Sequence, residues 1–107
     1  MTDIEKKIVE AGFVYTNPGT FQKKIKVDDM FYLTSYAVVA VNGPFVTISI
    51  YLGRHASTSA SYCLCMKSAP PEEFSELMEE VFKVASEKFV AAAQKMLMIS
   101  MTGSVEQ

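Results

Sequence analysis

The hydrophobic positions of this chain follow one period between residues 13 and 67 and another after residue 70. In the first stretch, apolar residues alternate with polar ones or form short runs, and Gly, Pro and Asn separate the runs. This pattern is typical of β-strands joined by short turns. In the second stretch, apolar residues recur every three or four positions with no internal Gly, which predicts one long α-helix.

The first stretch predicts about five strands of an antiparallel meander. One begins at Phe13, and the others span residues 21–27, 30–41, 45–52 and 59–67. The sequences Asn17-Pro18-Gly19 and Asn42-Gly43 predict tight turns, because their Gly residues tolerate positive φ. Residues 38–41 have no polar side, which predicts a central strand covered on both faces.

Helices are predicted at both ends of the chain. Thr2 and Glu5 have the spacing of a capping box, in which each side chain accepts a hydrogen bond from the other residue's backbone amide. The last helix is predicted over residues 71–101 and packs an apolar stripe on the sheet. The stripe consists of residues at helical spacing: Phe74, Leu77, Met78, Val81, Ala85, Phe89, Ala92, Met96 and Ile99.

A second apolar face is predicted near the end of this helix. Val90, Gln94, Leu97 and Met101 follow the i, i+4, i+7, i+11 spacing of a two-helix seam, and Met98 lies beside them. A helix of this length spans roughly 45 Å, whereas a compact domain of this size has a radius of gyration of about 13 Å. We therefore expect the five residues to form an interface. The alternative, that both helix faces are buried within one domain, stays open.

Composition narrows the classes of function. The 107 residues predict one α+β domain over residues 1–107, with 103–107 as a loose tail. The formal net charge of −2 argues against a nucleic-acid partner. No signal peptide and no membrane span is recognised. Cys63 and Cys65, one residue apart in a strand, are expected on the same face and unbridged, so a reducing cytoplasm is expected.

Candidate chemistry is sparse. His55 follows a strand, where general acid–base groups often lie, but no acidic partner lies near it in sequence. Two cysteines and one histidine do not match a zinc site, and no phosphate-binding glycine pattern occurs. We therefore expect no catalytic residue, metal or cofactor. A pocket between sheet and helix, near Tyr51, His55 and Cys63, remains possible.

These observations predict a small non-enzymatic cytoplasmic module that binds protein and self-associates, as a dimer, through its C-terminal helix. Two alternatives stay open. One is an inhibitor or adaptor, encoded by a phage or mobile element, that binds a host protein. The other is a small-ligand binder or enzyme that uses the pocket between sheet and helix. No membrane partner is expected.

Overall fold

The computed structural model describes residues 2–28, 33–54 and 62–102, and the side chains of 2–25, 33–53 and 62–95 among them. The elements, in chain order, are α1 Asp3–Glu10, β1 Val14–Asn17, β2 Thr20–Asp28, β3 Leu33–Asn42, β4 Phe45–Arg54, β5 Tyr62–Ala69 and α2 Phe74–Thr102. The strands form one antiparallel sheet in chain order. The predicted α+β fold, with its long C-terminal helix packed on the sheet, is confirmed.

Some predicted features lie outside this description. They are the tail 103–107, His55, and the side chains of Leu97, Met98 and Met101. The predicted start of the last helix is shifted, because Pro71–Glu73 form a 3₁₀ turn and the α-helix begins at Phe74.

The predicted capping box is present at α1. The Glu5 amide donates to the Thr2 hydroxyl at 3.3 Å, and the Thr2 amide donates to the Glu5 carboxylate at 3.1 Å. Hydrogen bonds from the Thr2 backbone and side chain lower the pKa of Glu5. At the other end of α1, the Lys23 ammonium donates to the Ala11 carbonyl at 2.9 Å. Lys23 thus places a positive charge at the helix C-terminus, where it is favourable, and ties α1 to β2.

Both helices pack on the same face of the sheet. One buried cluster joins Ile8 of α1, Val81 of α2 and the inward side chains of the strands. Along β3, buried residues alternate with half-buried ones. The prediction that residues 38–41 lie in a central strand is confirmed, because β3 is the third of the five strands. The expectation that both faces of this strand are covered is wrong, because its outward residues are only half-buried. Its outward residues pack within the sheet surface instead, as Tyr36 and Tyr51 do with ring centroids 5.5 Å apart.

Three register shifts interrupt the regular pairing of the described strands. One is at Thr16 of β1, beside the turn to β2, and the other two are β-bulges in β2 and β5. In β2, Lys24 pairs with Tyr36 and Lys26 pairs with Ser35, so Ile25 is an extra residue. In β5, Cys63 and Cys65 pair with consecutive residues of β4, so Leu64 is an extra residue. A bulge reverses the facing of the residues beyond it. In β2 and β5, simple alternation along the whole strand therefore predicts the wrong sheet face for the residues on one side of each bulge.

The long helix lies over one side of the sheet. Its main contacts are with β4 and β5. Lys67 of β5 is paired with Glu80 of α2, a contact that raises the pKa of Lys67. Further along, the Lys95 ammonium lies 5.7 Å from the centre of the Tyr62 ring. Tyr62 is the first residue of β5. The part of α2 that follows Lys95, residues 96–102, therefore extends beyond the first residue of this strand.

Candidate functional site

A cleft of about 330 Å³ lies between one flank of α2 and the sheet face on which the helix packs. Four strands contribute one residue each to its sheet wall: Ile25, Ser35, Ile50 and Leu64. One flank of α2 forms the opposite wall: Phe82, Ala85, Ser86, Phe89 and Val90. Neither Tyr51 nor Cys63, the described members of the pocket considered from the sequence, is among these lining residues.

The position of α2 and the two bulges produce this cleft. Because α2 packs on β4 and β5, its flank faces β2 and β3 across a gap. The extra residue of the β2 bulge is Ile25 and that of the β5 bulge is Leu64, and both line the cleft. The bulge in β2 thus adds the Ile25 side chain to the sheet wall of the cleft, and the bulge in β5 adds the Leu64 side chain. Bulges that redirect side chains in this way are common beside functional sites.

The lining is apolar with two hydroxyl groups. Among the described residues that form it, none is charged. Phe82 and Phe89 supply aromatic rings, Ser35 supplies a hydroxyl from the sheet and is 4% exposed, and Ser86 supplies an exposed hydroxyl from α2. Apolar walls with a few placed polar groups are typical of small-molecule sites.

Sequence reasoning did not find this site. The apolar stripe predicted for α2 packs on the sheet and does not include Phe82. Phe82, Ser86, Phe89 and Ala93 are spaced i, i+4, i+7 and i+11 along one flank. A helix with an apolar flank beside its main stripe has a wider apolar arc than one sheet contact requires. The width of the apolar arc of α2 is therefore the feature of the sequence that indicates a cleft beside the helix.

Tyr51 and Cys63, the described members of the predicted pocket, lie elsewhere. They pair across β4 and β5 on the face of the sheet away from α2. Tyr51 stacks on Tyr36 there, and the Cys63 thiol is exposed. The third member, His55, lies outside the described residues. The structure therefore brings Tyr51 and Cys63 together, on the outer sheet face.

The two cysteines do not share a face, because the bulge at Leu64 separates them. Cys63 is exposed and Cys65 is buried. We expect a thiol reagent to modify one cysteine per chain rapidly in the native state, and the second only upon unfolding, since reactivity requires access to the thiolate. The measurement is a colorimetric thiol count with and without denaturant. A Cys63→Ser variant that still reacts rapidly would contradict this assignment.

The outer sheet face is poor in charge. The outward side chains of β3, β4 and β5 in the described pairs carry no charge: Thr34, Tyr36, Val38, Ala40, Asn42, Phe45, Thr47, Ser49, Tyr51, Cys63, Met66 and Ser68. Thr47 and Ser68 are hydrogen-bonded across the strands at 2.7 Å. Met66 is 56% exposed.

The predicted interface on α2 is described as far as Lys95. Val90 is 63% exposed and Gln94 is exposed, so this side of the helix lies outside the core. Val90 also forms the rim of the cleft. Whether Leu97, Met98 and Met101 continue the same surface stays a prediction.

Within residues 2–28, 33–54 and 62–102, no three His, Cys, Asp or Glu side chains come close enough to hold a metal ion. No helix among them has both the length and the apolar character needed to cross a membrane. Comparison of the chain with protein-family models, with curated proteins and with solved structures finds no match.

Proposed function

We propose that this chain is a small non-enzymatic interaction module of the cytoplasm that self-associates through the distal part of α2. The observation that carries the proposal is the 63% exposure of Val90, an apolar residue at the start of the predicted seam. A β-branched apolar side chain on an otherwise solvated helix side gains most by packing against a second helix. Gln94, one turn later and also exposed, can fix the register of two such helices.

The end of the helix supports the same surface. Lys95 lies against Tyr62 at the start of β5, and α2 continues to Thr102. These last seven residues, 96–102, add about 10 Å of helix. Leu97, Met98 and Met101 fall within this extension, so its sequence offers a partner helix adaptable apolar side chains. In a dimer related by a two-fold axis, the same residues of both copies meet.

The test replaces Val90 by Glu. We expect the parent to be a dimer, with twice the 11.9 kDa chain mass, and Val90→Glu to be a monomer, because the seam then buries an unpaired charge. Val90 is exposed, so its replacement should change the stability of the monomer by no more than about 0.5 kcal/mol. Light scattering after size-exclusion chromatography measures the mass.

Ser75→Glu is the matched control. Ser75 is exposed near the N-terminal end of α2, about four turns before Val90, so this variant should remain dimeric. Leu97→Glu and Met101→Glu should also dissociate the dimer without loss of thermal stability. If they unfold the chain while the parent is monomeric, the residues belong to the core and the proposal is wrong.

A Met66→Lys variant separates this proposal from association through the sheet. Met66 is exposed on the charge-poor outer face, which is the surface that favours the alternative of an adaptor for a different protein. Under our proposal Met66→Lys stays dimeric. A dimer that is dissociated by Met66→Lys and not by Val90→Glu would assign the contact to the outer sheet face instead.

A further inference from the structure

We infer that the cleft between α2 and the sheet is a binding site for a small uncharged molecule that is mainly apolar and has one hydroxyl or carbonyl group. This inference goes beyond self-association and stands without it. It rests on the volume of the cleft, on the composition of its walls and on the two bulges that shape it.

The volume sets the size of the ligand. An apolar cavity of about 150 Å³ binds benzene, so a cleft of about 330 Å³ takes a molecule roughly twice as large, such as a fused two-ring aromatic. This volume lies at the lower end of the range of small-molecule pockets, about 300–1,000 Å³. The Phe82 and Phe89 rings in the helix wall favour a flat aromatic ligand, which can pack on them edge to face.

The walls set the polarity of the ligand. A charged group would enter this cleft without a counter-charge among the described lining residues, and burial of an unpaired charge is strongly unfavourable. Ser35 in the sheet wall and Ser86 in the helix wall can each donate or accept one hydrogen bond. A single hydroxyl or carbonyl on the ligand is therefore enough to orient it.

The bulges indicate that the cleft is a built feature of the sheet. Ile25 and Leu64 lie in strands that are not neighbours, β2 and β5, yet each is the extra residue of a bulge and each lines this cleft. Regular pairing of either strand would change the side chains that face α2. Two of the three register shifts in the described sheet converge on one apolar wall, which points to a shaped binding surface.

The test uses two uncharged probes. 1-Naphthol has two fused rings and one hydroxyl, and the fluorescent dye N-phenyl-1-naphthylamine carries the same naphthalene group and reports on an apolar environment. We expect saturable binding of one probe per chain in a fluorescence titration, with competition between the two. In the amide spectrum of the labelled protein, the shifted signals should be those of Ser35, Phe82 and Phe89. No saturable binding, or shifts confined to Tyr36 and Tyr51 on the outer sheet face, would overturn the inference.

Two variants fill the cleft from its helix wall. Ser86→Trp and Ala85→Leu should each weaken binding of the dye at least about tenfold, because the added side chain takes the space that the probe needs. Ser75→Trp is the matched control, since Ser75 is exposed on α2 and does not line the cleft, and it should bind as the parent does. Circular dichroism verifies the fold of each variant. Parent-like binding by both filled variants would show that the dye binds elsewhere and would refute the assignment.

Discussion

Phe21→Ala is expected to lower the free energy of unfolding by about 3–5 kcal/mol, the usual loss when a buried aromatic side chain is truncated. Phe21 is 0% exposed and is the largest fully buried side chain among the residues that the structure describes. Its ring also meets the Tyr15 ring edge to face, with centroids 5.7 Å apart. Truncation leaves a cavity between the sheet and the helices and removes this aromatic contact.

Urea denaturation followed by circular dichroism measures this loss. Phe45→Ala removes the same side chain from a position that is 51% exposed, and should cost no more than about 1 kcal/mol. A domain of this size has a total stability of about 5–15 kcal/mol, so Phe21→Ala can fail to fold. Phe21→Leu then serves as the milder variant. Equal losses at positions 21 and 45 would contradict the described core.

Leu64→Ala is expected to lower the free energy of unfolding by about 2–5 kcal/mol, whereas Met66→Ala should lower it by less than about 1 kcal/mol. Leu64 is 3% exposed and Met66 is 56% exposed. Residues two positions apart in a regular strand share a face, so a strand without the bulge would place both side chains in the same environment. The difference between the two losses therefore measures the bulge in β5.

The same denaturation experiment applies to both variants, with the slope of the transition compared to verify that the unfolded states are similar. Similar losses for the two variants would mean that β5 pairs without the bulge. Leu64 would then not line the cleft, and one of the observations behind the inferred ligand site would be removed.

Most of the fold is predictable from local patterns. The capping box at Thr2, the turns at Gly19 and Gly43 and the alternation along β4 each depend on neighbouring residues, and the structure contains all of them. The order of the sheet follows because short connections make successive strands neighbours.

The candidate site was not predictable in the same way. An extra residue in a strand pair is a property of two strands together, so no local period in the sequence marks Ile25 or Leu64 as bulged. Alternation alone therefore placed Cys63 and Cys65 on one face, and the structure places them on two. The offset of α2 toward β4 and β5, which opens the cleft, is likewise set by packing between distant segments.

The two proposed surfaces share one residue. Val90 lines the cleft, and it is also the first apolar residue of the proposed dimer interface on α2. A second copy packed on the distal part of α2 would cover Val90 and thereby narrow the mouth of the cleft. Dimerisation and ligand binding are then thermodynamically linked, and each changes the affinity of the other by the same factor.

The solution mass of the parent chain over a range of concentrations tests self-association most directly. Sedimentation equilibrium should give a mass that rises from 11.9 kDa toward twice that value as the concentration increases. Val90→Glu should stay at the lower mass, and Ser75→Glu should follow the parent. A parent mass of 11.9 kDa at every concentration would contradict the proposal that the distal part of α2 is a dimer interface.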